Sequence, residues 1–202
     1  MRRIVLATGN AGKIREFSQL LSPLSLTIVS QRELGVSDAD ETGKSFVENA
    51  ILKARHAAAH TQLPALADDS GIEVDALNGA PGIFSARYAG EPSNDAANND
   101  KLLQVLNDVD DTQRSARFCC VLAFVLHADD PTPVIAEGFW NGRILRAALG
   151  QNGFGYDPLF YVAEKSCSSA QLDPAVKSQI SHRALATQQL LQKLPEKLRH
   201  WR

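Results

Sequence analysis

The 202-residue sequence has little cysteine, no excess of charge of one sign and no long hydrophobic run. Its three cysteines, Cys119, Cys120 and Cys167, are odd in number and lack metal-ligand spacing, so we expect neither a disulfide framework nor a structural zinc site. Lys and Arg total 21 against 23 Asp and Glu, which gives a net charge of −2. A nucleic-acid partner usually requires a clear basic excess, so the composition disfavours that class of protein.

No apolar segment approaches the roughly 18 residues of a membrane span. The apolar start at residues 4–7 ends at Thr8 and is too short for the core of a secretion signal. We therefore expect a cytoplasmic protein with no membrane partner. A hydrophobic fraction of 44% and a charged fraction of 22% are typical of a globular protein. We interpret residues 1–202 as one domain, with two lobes and no separable linker.

Short apolar runs alternate with helical periodicity in the first half of the chain, and longer apolar runs follow. We predict strands at residues 4–7, 24–30, 65–67, 72–77, 118–126, 134–149 with a break at 141–142, and 159–162. We predict helices through Ile14, Phe17, Leu20 and Leu21, and at residues 46–57, 95–106 and 190–198. This order predicts an α/β fold with a mixed sheet, and two lobes with a cleft between them.

The loop after the first predicted strand could bind an anion. Gly9 and Gly12 let the backbone curl, and a helix that begins near Ala11 would direct unpaired N–H groups and its positive dipole end outward. A cation at Lys13 is unfavourable in the first turn unless an anion compensates it. The loop is not a Walker A motif, because Ile14 follows the lysine where Ser or Thr should bind magnesium. A tight turn with a solvated lysine also fits these residues.

A second group of charged residues could hold a metal ion. Asp68 and Asp69 follow an apolar run, and we expect them at the end of a strand, where α/β proteins commonly hold ligands. Successive strand residues face opposite ways, so only one of them should face a given site. A carboxylate beside phosphate requires a cation, and oxygen ligands favour magnesium. Asp40 and Glu41 could supply a second ligand, and Lys53 could neutralise phosphate charge, although acidic pairs at strand ends are often simple turn formers.

Two further segments could contact a planar ligand. Glycines flank Phe154 and would expose its ring, while Asp157 could accept hydrogen bonds from ring N–H groups. Lys177, His182 and Arg183 could contact a carbonyl-bearing base or phosphate near a helix start. A core position for Phe154, a turn at Asp157 and a solvated helix end are the structural alternatives.

Taken together, these segments resemble the inosine triphosphate pyrophosphatase family, also called the RdgB-type purine nucleoside triphosphate pyrophosphatases. Six stretches occur in order from residue 6 to residue 183, and together they are far more specific than any one of them. They are LATGNAGK at 6–13, ETGKSFVENA at 41–50, ADDSG at 67–71, LNGAPG with SAR at 77–87, FGYD at 154–157 and SHR at 181–183.

The resemblance implies an α/β fold with a long twisted mixed sheet flanked by helices and an active-site cleft between two lobes. It implies a homodimeric, magnesium-dependent enzyme that converts ITP, dITP and XTP to the monophosphate and pyrophosphate, which removes deaminated purines from the nucleotide pool. Asp69 corresponds to the general base and a metal ligand, and Ser70 to a substrate contact. Many relatives have Glu where this chain has Asp40, so either Asp40 or Glu41 could be the second metal ligand. The other implied substrate-binding residues are Thr8, Gly9, Asn10, Ala11, Gly12, Lys13 and Lys53 at the phosphates, and Phe154, Gly155, Tyr156, Asp157, Lys177, His182 and Arg183 at the base.

Base selectivity in such an enzyme should depend on donors aimed at the purine 6-oxygen. The amino group of adenine would leave those donors unpaired, a mismatch that can reject an analogue by about 10⁴-fold. Guanine shares the 6-oxygen, so exclusion of GTP needs a feature near position 2 that the motifs do not reveal. A non-catalytic purine nucleotide-binding or sensing protein is the alternative function, and it would not require acids facing the phosphates.

Overall fold

The computed structural model describes residues 2–22, 26–199 and 201, and in helix α1 it describes the backbone but not the side chains of Ala11, Glu16 and Leu20. The strands are β1 (Arg3–Leu6), β2 (Thr27–Ser30), β3 (Ala65–Val74), β4 (Ser115–Val125), β5 (Val134–Ile144), β6 (Phe160–Val162) and β7 (Cys167–Ser168). The helices are α1 (Ala11–Leu20), α2 (Phe46–Thr61), α3 (Asp95–Val105), α4 (Pro174–Ile180) and α5 (His182–Arg199).

The strands form one sheet in the order β2-β1-β3-β4-β5-β6-β7. Strand β1 pairs in parallel with β2 and β3, with Val5 opposite Val29 on one side and Ala65 on the other. The β5–β6 and β6–β7 pairs are antiparallel. The predicted α/β class with a mixed sheet is therefore confirmed.

The chain divides into two compact units, each assembled from separated segments. The first unit contains Met1–Asp69, Cys120–Gly138 and Arg183–Arg202, and the second contains Ser70–Cys119 and Phe139–His182. That these units form one domain with an active-site cleft stays a prediction.

Each unit has its own hydrophobic core. The core of the first unit packs β1, β3 and β4 against α1 and α5 through Leu6, Phe17, Leu66, Phe124 and Leu190, all of which are fully buried. The core of the second unit includes Ile72, Leu102, Trp140, Leu159 and Phe160. Close packing of this kind holds the surrounding polar side chains in fixed positions.

Strand β3 differs from the prediction. The break expected between the predicted strands at residues 65–67 and 72–77 is absent, because β3 continues from Ala65 through Asp68 and Asp69 to Val74. Asp, Ser and Gly favour turns in isolation. Here the two carboxylates form ion pairs with side chains of other elements, so the strand need not end to solvate them. The acids therefore lie inside a strand and not at its end.

Two other boundaries also differ from the sequence-based expectation. Strand β5 is not interrupted at Asn141 and Gly142. A Cβ on Gly142 would lie 2.5 Å from the backbone oxygen of Tyr161, so this glycine permits a close approach of β6 and does not break the strand. The final helix begins at His182, within the helix start expected at residues 177–183, and it continues through the predicted helical segment at residues 190–198. The predicted strand at residues 24–30 is observed at Thr27–Ser30, and Leu24 and Ser25 lie outside the described residues.

Candidate functional site

The loop between β1 and α1 is closed by a side-chain cap. Asn10 precedes α1, and its side-chain oxygen accepts hydrogen bonds from the N–H groups of Gly12 and Lys13 at 2.8 and 3.1 Å. The backbone N–H of Asn10 in turn donates to the hydroxyl of Thr8 at 3.1 Å. The expectation of unpaired N–H groups at residues 12 and 13 is thus wrong, because Asn is a strong helix cap. An anion that used these donors would have to displace the Asn10 side chain.

Lys13 has the compensating anion that its position requires, and this anion belongs to the protein. Its ammonium group lies 2.9 Å from Oδ2 of Asp68, which also lies 3.4 Å from Nη2 of Arg183. Asp68 and Arg183 are 2% and 3% exposed, so the cluster is inside the first unit. Burial alone would raise the pKa of Asp68, but the charges of Lys13 and Arg183 outweigh it and hold that pKa well below its usual range.

Asp69 has a different cation partner. Nζ of Lys53 lies 2.5 Å from Oδ1 of Asp69 and 3.0 Å from Oε1 of Glu41. Burial raises the pKa of Asp69 above its ordinary value, although the nearby Lys53 acts in the opposite direction. Burial would lower the pKa of Lys53, but the carboxylates around it raise that pKa overall, which keeps the amine protonated. Consecutive strand residues thus bind different cations, as the alternation of side chains predicts.

Helix α2 also fixes the position of these carboxylates. Asn49, one turn before Lys53, is 1% exposed and donates from Nδ2 to Oδ2 of Asp69 at 3.4 Å. Its oxygen accepts from the N–H of Gly43 at 2.9 Å. A Cβ on Gly43 would lie 2.6 Å from that oxygen, so only glycine allows the loop to approach so closely. Asn49 therefore ties the loop that follows Glu41 to Asp69.

The carboxylates of Glu41 and Asp69 fit a magnesium ion better than a metal that needs several protein ligands. Among the described residues, no group of three or more His, Cys, Asp and Glu side chains is arranged to hold a metal. Glu41 and Asp69, however, both contact one cationic atom, Nζ of Lys53. Magnesium keeps several waters and typically needs one or two protein carboxylates. The side chain of Asp40 is exposed, and it takes no part in this contact.

In the second unit, Asp157 organises the predicted base-binding segment. Its carboxylate is 2% exposed and accepts from the hydroxyl of Ser169 at 2.7 Å, from the N–H of Phe154 at 2.9 Å and from Nζ of Lys177 at 2.5 Å. Phe154 is 41% exposed, and Nζ of Lys177 lies 5.6 Å from the centre of its ring. Asp157 thereby holds an exposed aromatic ring and a cation beside each other.

Glycine is required next to this carboxylate. Gly153 has a φ of +81°, and a Cβ there would collide with the carboxylate of Asp157. Tyr156 is buried and donates from its hydroxyl to the carbonyl oxygen of Ser85 at 2.7 Å. Burial raises the pKa of Tyr156 far above its usual range, so the hydroxyl stays protonated and can donate. Residues 153–157 are therefore fixed from both sides in the second unit.

His182 lies in an aromatic stack, and Lys177 belongs to a separate helix. The ring of His182 stacks on Phe118 at a centroid distance of 4.7 Å and an interplanar angle of 13°, and it is 6% exposed. The predicted helix start is observed at His182, which begins α5, but Lys177 lies in the preceding helix α4. The ring stack fixes the plane of the imidazole.

Several residues of these clusters had no assigned role in the sequence-based prediction. They are Asn49, Ser85 and Ser169. Asn49 carried a usable signal, because it is a polar residue on the apolar face of a predicted helix, one turn from Lys53. Asp68 and Arg183 are 115 residues apart in the sequence, and no local pattern links them.

Among the described residues, no helix is long and apolar enough to cross a membrane.

Comparison with known proteins gives a single family. The sequence profile of the Ham1 family matches residues 4–193. The chain belongs to the Ham1 family. It is 58% identical over 196 residues to a Vibrio cholerae protein named dITP/XTP pyrophosphatase, covering 97% of this chain and 98% of the relative. A Thioalkalivibrio sulfidiphilus protein of the same name is 59% identical over 192 residues, covering 95% of this chain and 98% of the relative.

A solved structure confirms the fold. The HAM1 protein from Coxiella burnetii superimposes with a TM-score of 0.91 at 51% sequence identity. The match covers 97% of this chain and 100% of the Coxiella burnetii chain. The predicted family resemblance is therefore confirmed over nearly the whole chain.

Proposed function

We propose that this Ham1 protein hydrolyses non-standard purine nucleoside triphosphates, dITP, ITP and XTP, to the nucleoside monophosphate and pyrophosphate. Such a reaction removes deaminated purines from the nucleotide pool. The observation that carries the proposal is the convergence of Glu41 and Asp69 on one cation position in the first unit. Relatives that are 58% and 59% identical carry the name dITP/XTP pyrophosphatase, which supports the same substrates here.

Glu41 and Asp69 are the residues that would hold a magnesium ion. We favour Glu41 over Asp40, because Glu41 contacts the same cation as Asp69 while the side chain of Asp40 is exposed. Bound magnesium would neutralise phosphate charge and stabilise the pyrophosphate leaving group.

Asp69 is proposed as the general base. Its pKa is raised by burial, which makes the carboxylate a better proton acceptor than an exposed aspartate. It would take a proton from the attacking water as the water oxygen bonds to the α-phosphorus and the bond to the pyrophosphate oxygen breaks. Lys53 contacts Asp69 directly and is placed to neutralise the charge that develops. Lys13, with the loop from Thr8 to Gly12, is proposed to bind the other phosphates.

The base is proposed to bind at Phe154 and Lys177. The exposed ring of Phe154 offers a stacking surface, and the ammonium group of Lys177 beside it is a donor for the purine 6-oxygen. Gly155, Tyr156 and Asp157 would act by holding that ring and that cation, and His182 is proposed as a further base contact. We propose that Arg183 acts through Asp68, to which it is paired inside the first unit, and that Ser70 contacts the substrate.

Pyrophosphate release from dITP, XTP, ATP and GTP, with and without magnesium, tests the proposal. We expect release from dITP and XTP that requires magnesium, and a loss of about 10²- to 10⁴-fold in kcat for Asp69→Asn. Asp130→Asn is a matched control, because Asp130 is also a buried carboxylate of the first unit that is paired with a lysine. Full activity of Asp69→Asn would refute the proposed role of Asp69, and no magnesium-dependent release from dITP or XTP by the wild type would leave only a nucleotide-binding or sensing role.

Metal binding is measured separately, by titration of the protein with Mn²⁺ as a spectroscopic substitute for magnesium. Glu41→Gln should weaken Mn²⁺ binding strongly, whereas Asp40→Asn should not. The opposite result would assign the second ligand to Asp40.

Two further properties follow from the family and stay predictions. We propose that the protein is a homodimer, which light scattering of the purified chain would show directly. We also propose a cytoplasmic location, since Cys119 and Cys120 are buried in β4 as small core side chains. Fractionation of the native cell would test the location.

A further inference from the structure

The backbone N–H and C=O groups of Gly155 are both hydrogen-bonded to one helix of the second unit. Oδ2 of Asp95, the first residue of α3, accepts from the N–H of Gly155 at 2.7 Å. Nδ2 of Asn99, one turn later, donates to the carbonyl oxygen of Gly155 at 3.0 Å. Residues four apart lie on the same face of a helix, so the two side chains form one clamp.

Gly155 lies between Phe154 and Asp157 in the segment that carries both side chains. Gly155 has a φ of +61°, a left-handed conformation that glycine tolerates best. No atom lies within 4 Å of a Cβ built on Gly155, so steric packing around that position does not fix its peptide. The orientation of the peptide therefore depends on its hydrogen bonds.

The neighbouring residue Asn98 shows how an asparagine serves a purely structural contact in the same helix. Its oxygen accepts from the N–H of Ala89 at 2.7 Å and its nitrogen donates to the oxygen of Ala86 at 3.0 Å, so both ends of the amide are paired. Asn99 is different. Its Oδ1 is buried and has no hydrogen-bond partner among the described residues. Reversing the amide would place Oδ1 against the carbonyl oxygen of Gly155, so the observed orientation is the one that the clamp requires.

A buried acceptor without a partner lowers stability. The unpaired Oδ1 of Asn99 lowers stability, while its Nδ2 holds the backbone at Gly155. Stability alone therefore does not explain this asparagine, but placement of the backbone at Gly155 does. We propose that Asp95 and Asn99 are positioning residues for base recognition, which fix the ring of Phe154 through the peptide of Gly155. This inference rests on the proposed base site at Phe154 and Lys177. Neither residue is proposed to touch the substrate.

Binding of IMP and AMP separates this role from a structural one, because it requires no hydrolysis. We expect Asp95→Ala and Asn99→Ala each to weaken IMP binding by about 10- to 100-fold, the effect of a small displacement of a binding group. Asp95→Asn keeps an oxygen that can accept from Gly155 and should retain most of the affinity. Asn99→Asp places a carboxylate against the oxygen of Gly155 and should bind IMP most weakly of these variants.

The controls come from the same helix. Asp100→Ala removes an exposed acid of α3, and Asn98→Ala removes a structural amide; both should keep the IMP affinity, although Asn98→Ala should lower the melting temperature. Inhibition by inorganic tripolyphosphate reports on the phosphate-binding residues alone and should be unchanged in the clamp variants.

The outcomes distinguish this inference from the function on which it rests. If the wild type binds IMP and AMP equally, both the base site and the clamp are refuted. If the wild type discriminates, and Lys177→Ala loses that discrimination while Asp95→Ala and Asn99→Ala keep it, the clamp alone is refuted. Equal weakening of IMP and tripolyphosphate would show general destabilisation and would also refute it.

Discussion

Replacement of Asp157 tests whether this carboxylate holds the proposed base-binding segment together. Asp157→Ala removes the acceptor for the N–H of Phe154, the hydroxyl of Ser169 and the ammonium group of Lys177. Ser169 is 1% exposed, so its hydroxyl would be left without this partner in the interior, while Lys177 could turn to solvent. Each unpaired buried donor costs about 1–3 kcal/mol, and the loss of the charge pair adds to that.

We therefore expect Asp157→Ala to lower the free energy of unfolding by about 4 kcal/mol. For a protein of this size, that corresponds to a fall in melting temperature of about 8–16 °C. Urea unfolding followed by circular dichroism gives the first quantity, and calorimetry gives the second. The base selectivity, measured as the ratio of kcat/KM for dITP to that for dATP, should fall in the same variant because Phe154 and Lys177 are released.

Asp157→Asn is the comparison variant for Asp157→Ala. The amide can turn its nitrogen toward Ser169, whose hydroxyl can accept instead of donate, and keep its oxygen toward the N–H of Phe154. Only the charge that holds Lys177 is then lost, so we expect the free energy of unfolding to fall by about 1–2 kcal/mol. A loss below about 1 kcal/mol for Asp157→Ala would refute the reasoning. So would equal selectivity losses in both variants, which would instead indicate direct contact of the carboxylate with the base.

Three predictions concern stability outside the proposed site. Gly142→Ala places a Cβ against the oxygen of Tyr161 and should cost about 1–3 kcal/mol in urea unfolding; a neutral result would mean that β6 shifts freely. Arg114 is 1% exposed and donates to three backbone oxygens at 2.6–3.0 Å. Arg114→Met should therefore lower the free energy of unfolding by about 3–5 kcal/mol. An unchanged free energy of unfolding would mean that water replaces the guanidinium. Burial would raise the pKa of Asp130, but two backbone N–H groups and Lys197 lower it overall. Its stabilising contribution is therefore complete above about pH 4 and is lost as pH falls through the folded-state pKa, so the stability difference between wild type and Asp130→Asn should shrink in acid urea titrations.

Local patterns were sufficient for most of the first unit. The apolar run before Thr8 and the three- and four-residue spacing of Ile14 and Phe17 correctly predict β1 and α1. Helical spacing also predicts α2, which places Lys53 where it meets Asp69. These features depend on residues close together in the sequence, so a window of ten to twenty residues contains the necessary information.

The errors arise where a distant partner changes a local preference. Asp68 and Asp69 favour a turn in isolation, but Lys13, Lys53 and Arg183 neutralise them and the strand continues. Gly142 suggests a break in β5 until the approach of β6 is known. The cap formed by Asn10 is a different case, because its side-chain type and position are local and could have been recognised before the structure.

Both lysines proposed to bind phosphate already hold a carboxylate, Lys13 that of Asp68 and Lys53 that of Asp69. Binding of a triphosphate by these lysines would therefore be an exchange of anions, and its affinity would depend on the difference between two strong interactions. A triphosphate carries several negative charges whereas a carboxylate carries one, so the exchange favours the substrate at equal distance. A single inorganic phosphate has a smaller advantage over Asp68. The paired carboxylates would thus make the proposed phosphate-binding residues of the first unit selective for polyphosphates.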